Sequence, residues 1–280
     1  MNRQTSHQEV APASGADRSR SALPAAAFTL LELLIAVAII ALLISVLLPS
    51  LSRARRQAAA VVCQSNIRQL VIANDLYARD CDCYVPGAAR EMSLNLDRWH
   101  GRRQSINQRF DAVRGPLAPY LGHEGKIRAC PVFETASAPN QSALHFEAGC
   151  GGYGYNHRYL GVADPVRLDN GERSSLSGAK PSRVRRPVDT LMFADSAFAA
   201  EALIEYSFAE PRFHPQYGGR ADPSIHFRHD RATHAAWCDG HVTPERRTFT
   251  WSSGLYSLHP DRFDIGWFGT PDDNSRFDLQ

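Results

Sequence analysis

An α+β fold is predicted: one long N-terminal helix packed on an antiparallel β-sheet, with a loop-rich insertion between them. Three observations predict it. Phe28 to Leu48 is an apolar run of helical length. Behind it Cys63, Ile67, Leu70, Asn74 and Tyr77 recur at helical spacing. The β pattern begins only after residue 188, where an Asp-Gly turn separates two apolar runs.

Of the 21 residues from Phe28 to Leu48, only Thr29, Glu32 and Ser45 are polar. As a helix the run is about 31 Å long at about 1.5 Å per residue, which matches a hydrocarbon core of about 30 Å. A helix that is apolar all round belongs in lipid. Residues 28–48 are therefore read as a transmembrane helix and 1–27 as a polar leader. Residues 49–80 are its amphipathic continuation, with a kink at Pro49, and 81–280 form the head. Arg53, Arg55 and Arg56 after the span balance Arg18 and Arg20 before it, so the positive-inside rule chooses no orientation. A cleavable secretory signal ending at Ala58-Ala59-Ala60 is the rival reading. Its core exceeds the usual 7–15 residues, and Pro49 and three arginines intervene.

In the continuation, Val62, Val71 and Leu76 widen the apolar stripe, while Arg53, Arg56, Gln64, Arg68 and Asp75 lie away from it. The helix is expected to reach about Arg79 and to break over Asp80 to Gly87. Residues 88–188 are loop-rich. Trp99, Phe110, Leu117, Tyr120 and Leu121 suggest a small helical or irregular insertion, and Lys126 to Cys130 a short strand ended by Pro131. The glycines of Gly151-Gly-Tyr153-Gly-Tyr155-Asn156 imply tight backbone geometry, with no strand-to-helix pattern for phosphate. Thr190 to Ala194 is a strand candidate, followed by Asp195-Ser196. Thr233 to Cys238, Asp239-Gly240 and His241 to Thr243 read as a hairpin, because Asp-Gly supplies the positive φ of a tight turn.

The leader, Ala27/Phe28-Thr29-Leu30-Leu31-Glu32 and the apolar run together resemble the cleavage and methylation signal of type IV prepilins and type II secretion pseudopilins. Ala27 stands where that family usually has Gly. The resemblance implies a pilin-like fold, cleavage between Ala27 and Phe28 by a prepilin peptidase, and N-methylation of Phe28. It also implies that Glu32 pairs with the new amine of a neighbouring subunit during assembly. A carboxylate at the centre of a span costs roughly 2.5–3.5 kcal/mol and is usually partnered. One turn from the helix start, Glu32 is alternatively within reach of headgroup water.

Two further segments strengthen the resemblance. Cys63-Gln-Ser-Asn66-Ile-Arg-Gln69-Leu is similar to a helix pattern of planctomycete-type pseudopilin-like proteins, with Asn66 and Gln69 facing solvent or bonded to a loop. His229, nine residues, then Asp239-Gly240 resembles their C-terminal processing-associated motif. Its structural reading is that Asp239-Gly240 forms a turn and His229 tethers the preceding loop.

Net charge is +2, so no strong electrostatic partner is implied and no nucleic acid is expected. Among 31 basic residues only Lys126 and Lys180 are lysines, a bias better explained by codon composition than by a phosphate site. Cysteines 63, 81, 83, 130, 150 and 238 fit an oxidising compartment. Cys130 with Cys150 is the expected disulfide, buried free thiols being the alternative. No cofactor is expected. The weak zinc candidates are His226, His229, His234, Cys238 and His241, whose spacing matches no standard site. The weak calcium candidates are Asp261, Asp264, Asp272, Asp273 and Asp278.

No Gly-x-Ser-x-Gly elbow or Gly-x4-Gly-Lys-Ser/Thr loop occurs, and no enzymatic activity is expected. The resemblance implies a structural subunit of a type II secretion or type IV pilus-like filament. It would sit in the bacterial inner membrane as a single-pass protein with its head in the periplasm. Its partners would be prepilin peptidase, other pilin or pseudopilin subunits and the inner-membrane secretion machinery. The competing reading is a membrane-anchored periplasmic binding or metal-dependent module using the same anchor.

Overall fold

The computed structural model describes residues 29–88, 94–136, 147–162, 166–167, 173–174, 177–199, 202–215, 218–254 and 259–280. Helix α1 spans Leu30–Cys81, with Pro49 inside it. The chain divides into two compact units, Met1–Ser50 and Leu51–Gln280.

In the first unit no described residue is buried. Leu30, Leu34 and Val46 are 87%, 68% and 70% exposed. This part of α1 is long and apolar enough to cross a membrane. Pro49 has no N–H to give the carbonyl one turn before it. The hydroxyls of Ser45 and Ser50 bond back to the carbonyls of Leu42 and Leu47 at 2.7 and 2.8 Å. Both hydroxyls are thus paired within the helix, as a lipid environment requires.

In the second unit α1 turns one face inward. Cys63, Ile67, Leu70 and Asn74 of the predicted stripe are buried, as is Val71. Val62 and Leu76 are exposed instead, 47% and 38%, so the stripe is narrower than expected. Asn66 is buried and its amide donates to Ala129 O at 3.2 Å, while Gln69 faces solvent.

Six strands form one antiparallel sheet: β1 Tyr153–Tyr155, β2 Leu191–Asp195, β3 Ile225–His226, β4 Ala232–Trp237, β5 Val242–Phe249 and β6 Ile265–Phe268. Their order is β1-β2-β4-β5-β6-β3. Alternation along β4 sends Ala236 into a cluster with Cys63, Ile67, Leu70, Tyr153 and Phe193. Ala235 and Trp237 enter a second cluster with Leu191, Trp267 and Phe277. The sheet is therefore packed on both faces, with α1 on one of them.

The predicted hairpin is present as β4 and β5, Ala236 facing Val242. Gly240 takes φ +92° in its turn, and its N–H donates to Trp237 O at 3.0 Å. Two expectations are corrected. Lys126 to Cys130 is not a strand; helix α2, Pro131–Ala136, starts there with proline in its first turn. The strand expected at Thr190 to Ala194 is shifted by one, because Thr190 N–H turns to Arg186 O at 2.9 Å. The strands β1, β3 and β6 lacked a legible alternation and enter the sheet through long-range pairing.

Both edges of the sheet are covered. On β1, Tyr155 N–H donates to Ser207 O and Ala209 N–H to Tyr155 O, each at 2.9 Å. A Cβ on Gly154 would stand 2.6 Å from the Phe208 backbone carbon, so only glycine admits this close approach. On β3, Ile225 bridges Ser196, the residue that follows β2, and Ala197 N–H donates to Ser224 O at 2.9 Å.

Candidate functional site

At the start of α1, Thr29 and Glu32 form a reciprocal cap. Glu32 Oε2 accepts from the Thr29 backbone N–H and hydroxyl, both at 2.9 Å. Glu32 N–H in turn donates to Thr29 Oγ1 at 3.2 Å. The Thr-x-x-Glu spacing is that of a capping box, which satisfies N–H groups a helix start leaves open. Ala27 and Phe28, the expected cleavage and methylation positions, lie outside the described residues.

A second constellation lies within the head. Cys63 comes from α1, Cys130 immediately precedes α2, Asp195 ends β2, and His229 opens the turn into β4. Sulfur, carboxylate oxygen and imidazole nitrogen from these four residues all lie within 4.8 Å of one another. The Cys63 thiol donates to Asp195 Oδ1 at 3.1 Å. His229 Nε2 is 3.5 Å from Cys130 Sγ and 3.5 Å from Asp195 Oδ2. All four residues are buried. Among the described residues this is the one set of His, Cys, Asp and Glu side chains close enough to hold a metal ion.

Each member is fixed by its element. His229 and Ala232 exchange two backbone hydrogen bonds at 3.0 Å, with Asp230 at φ 54° and Arg231 at φ 62° between them. Two consecutive positive φ angles make the tightest hairpin turn, so the His229 backbone has little freedom. Cys130 N–H donates to Gly151 O at 3.0 Å, and Asn66 holds the preceding carbonyl. Asp195 receives the Arg228 guanidinium at 2.7 Å and the His234 backbone N–H at 2.8 Å. Tyr153 donates its hydroxyl to Cys63 Sγ at 3.5 Å. A cavity of about 300 Å³, lined by Arg53, Arg56, Gln57, Val132, Arg228 and His229, reaches the cluster on its His229 side.

The electrostatics are those of a buried charged knot. Burial opposes the Asp195 charge, but Arg228, His229 and His234 outweigh it and hold the carboxyl well below its usual range. Burial likewise opposes protonation of His229, yet Asp195 and Cys130 raise it to about 9. Burial pushes the Cys63 thiol up, helped by Cys130 and Asp195. The hydrogen bond from Cys63, with His229 and Arg228, draws Cys130 down against burial. The pair therefore favours a thiolate on Cys130 rather than on Cys63.

Of the weak zinc candidates only His229 enters this cluster. His234 Nδ1 is 3.4 Å from Asp195 Oδ2 but makes no hydrogen bond there. His226 faces Arg228 at 3.2 Å, and burial with that guanidinium lowers it to about 3. Cys238 and His241 lie in the turn beyond β4, where His241 pairs with Asp239. The His229 and Asp239-Gly240 elements thus stand at opposite ends of β4, six residues or about 20 Å apart at ~3.3 Å per residue. They form two turns rather than one site.

The expected Cys130–Cys150 disulfide is also corrected. Both thiols are free, and Cys150 is turned to Glu205 Oε1 at 3.9 Å. The C-terminal aspartates are dispersed. Asp272 takes Arg212 and Arg220, Asp264 takes Arg247, and Asp273 accepts from Ser275 N–H. Cys63 and Asp195 are the members that sequence reasoning did not join to a site. Cys63 was legible as a stripe residue at the head of a helix pattern and Asp195 only as the residue after a strand.

Residues 24–48 match the family model for the prokaryotic N-terminal methylation motif. The chain is also 40% identical over 101 residues to the type IV wide pilus major component PilA4 of Thermus thermophilus. That match takes in 35% of this chain and 73% of the relative. No solved structure matches the chain.

Proposed function

The chain belongs to the type IV pilin family, and from that premise we propose that it is a structural subunit of a type IV pilus-like or type II secretion filament. A prepilin peptidase cuts between Ala27 and Phe28 and methylates the new amine. The mature protein is held in the inner membrane by the apolar part of α1, with its head in the periplasm. It polymerises with other pilin or pseudopilin subunits under the inner-membrane secretion machinery.

The observation that carries this reading is the run Leu30 to Leu48, in which the large apolar side chains are 47–87% exposed. Burying one such side chain contributes roughly 1.5–3 kcal/mol relative to water. In the bilayer lipid supplies that burial, and in a filament the neighbouring helices do. Helix packing between subunits then requires only close contact and a partner for Glu32. Glu32 serves twice, capping its own helix through Thr29 and offering a carboxylate to a neighbour's Phe28 amine.

Mass spectrometry of the mature N-terminus tests the proposal. Methyl-Phe28 is the expected first residue, and a functional protein that retains Met1 would overturn it.

A further inference from the structure

We propose that Cys63, Cys130, Asp195 and His229 bind one Zn²⁺ ion, which ties α1 to the sheet of the head. The inference is independent of filament assembly and rests on four features of the cluster.

The first is donor chemistry. Two sulfurs, one imidazole and one carboxylate are the ligand types zinc takes, four in number for a closed structural site. Calcium and magnesium call for oxygen ligands, and this set offers a single carboxylate.

The second is geometry. Zinc bonds of about 2.0–2.3 Å place tetrahedral ligands about 3.3–3.8 Å apart. Cys63 Sγ to Asp195 Oδ1 at 3.1 Å and Cys130 Sγ to His229 Nε2 at 3.5 Å fall close to those edges, and with one ligand atom from each residue the four all lie within 4.8 Å of one another.

The third is charge. With both thiols ionised and His229 neutral, the ligands carry −3, Zn²⁺ adds +2, and the Arg228 guanidinium on Asp195 adds +1. The buried knot is then neutral, and it is equally neutral before loading, when Arg228 offsets Asp195 and a protonated His229 offsets the Cys130 thiolate. Binding therefore exchanges one Zn²⁺ for two protons released to solvent, with no redox change.

The fourth is support and access. Metal ligands are usually oriented by outer partners. Here Arg228 and the His234 N–H hold Asp195, and the Tyr153 hydroxyl meets Cys63 Sγ. The cavity beside His229 gives the ion a route in. The four ligands come from segments far apart in sequence, so a bound ion cross-links α1, the start of α2, β2 and the turn before β4.

The rival is a Cys63–Cys130 disulfide, since the two thiols are neighbours. The test uses the full chain purified in detergent under reducing conditions, supplied with zinc and desalted. Elemental analysis is expected to give one zinc per chain in the wild type and in the exposed-site control Cys81→Ser, and less than about a tenth of that in Cys63→Ser and His229→Ala. Cobalt substituted into the wild type is expected to give a thiolate-to-metal charge-transfer band and the intense visible bands of a tetrahedral site. The cobalt spectrum needs no variant, so it holds if a substitution prevents folding. A wild-type chain that takes up neither metal overturns the proposal. So does a Cys63–Cys130 disulfide found by peptide mapping of protein isolated without reductant.

Discussion

Glu32 Oε2 accepts two hydrogen bonds from Thr29, one from its backbone N–H and one from its hydroxyl, each at 2.9 Å. The carboxylate that a neighbouring subunit is proposed to use is therefore already held at the tip of its own helix. Local capping and intermolecular pairing call on different properties of the side chain, and substitution separates them.

Glu32→Gln retains an amide oxygen able to accept from Thr29, since Gln also completes a capping box, but it removes the charge. Glu32→Ala removes both. Both variants are expected to insert into the membrane normally and to be absent from filaments, as scored by fractionation and immunolabelling. Filament incorporation of Glu32→Gln at the wild-type level would show that the charge is dispensable.

Asn156 is fully buried and its amide donates to Leu191 O at 2.9 Å and Phe277 O at 2.7 Å. Asn156→Ala takes the side-chain donor from two carbonyls in the core. The expected loss is about 2–4 kcal/mol of stability, read from urea unfolding of the full chain in detergent. An unchanged midpoint would mean that other donors reach both carbonyls.

Gly154→Ala drives a methyl group to 2.6 Å from Phe208 C and 2.7 Å from Ala209 N. Backbone atoms yield less than a flexible side chain, so a loss of about 2–3 kcal/mol is expected. Hydrogen exchange should report first on Tyr155 and Ala209 N–H, which lock this edge. Protection equal to the wild type at both amides would refute the close approach.

Burial raises Asp75 to about 6, with Arg79 opposing. The folded value lies above the unfolded value of about 3.8. The group's stabilising contribution is thus fully present below about pH 4 and is lost as pH rises through 6. Asp75→Asn is expected to exceed the wild type by about 1 kcal/mol at pH 7, a figure reduced for partial exposure, and to match it near pH 3.5. A stability difference independent of pH would exclude the carboxylate as its source.

The elements that were legible in the sequence are those governed by local periodicity and turn chemistry. The inward face of α1 at Cys63, Ile67, Leu70 and Asn74 and the Asp239-Gly240 hairpin belong to this class. Strands of two to four residues such as Ile225–His226 and Ile265–Phe268 carry too few positions for an alternating pattern. They exist because partners distant in sequence supply their hydrogen bonds. The same reason hid the buried cluster. Cys63, Cys130 and Asp195 are separated by more than 60 residues each, so no spacing rule joins them, and only His229 had been singled out as a metal candidate. Of the histidines that crowd together in sequence, His234 stays beside His229, the rings 4.3 Å apart, while β4 separates His241 from both.

Ser207 to Ala209 on one side, and Ser196 with Ala197 on the other, already occupy the outer strands of the six-stranded sheet, so a foreign strand would have to displace them before pairing with Tyr155 or Ile225. A contact between copies made through the exposed apolar part of α1 asks for no such displacement, and it could come apart again with both of those strands still covered.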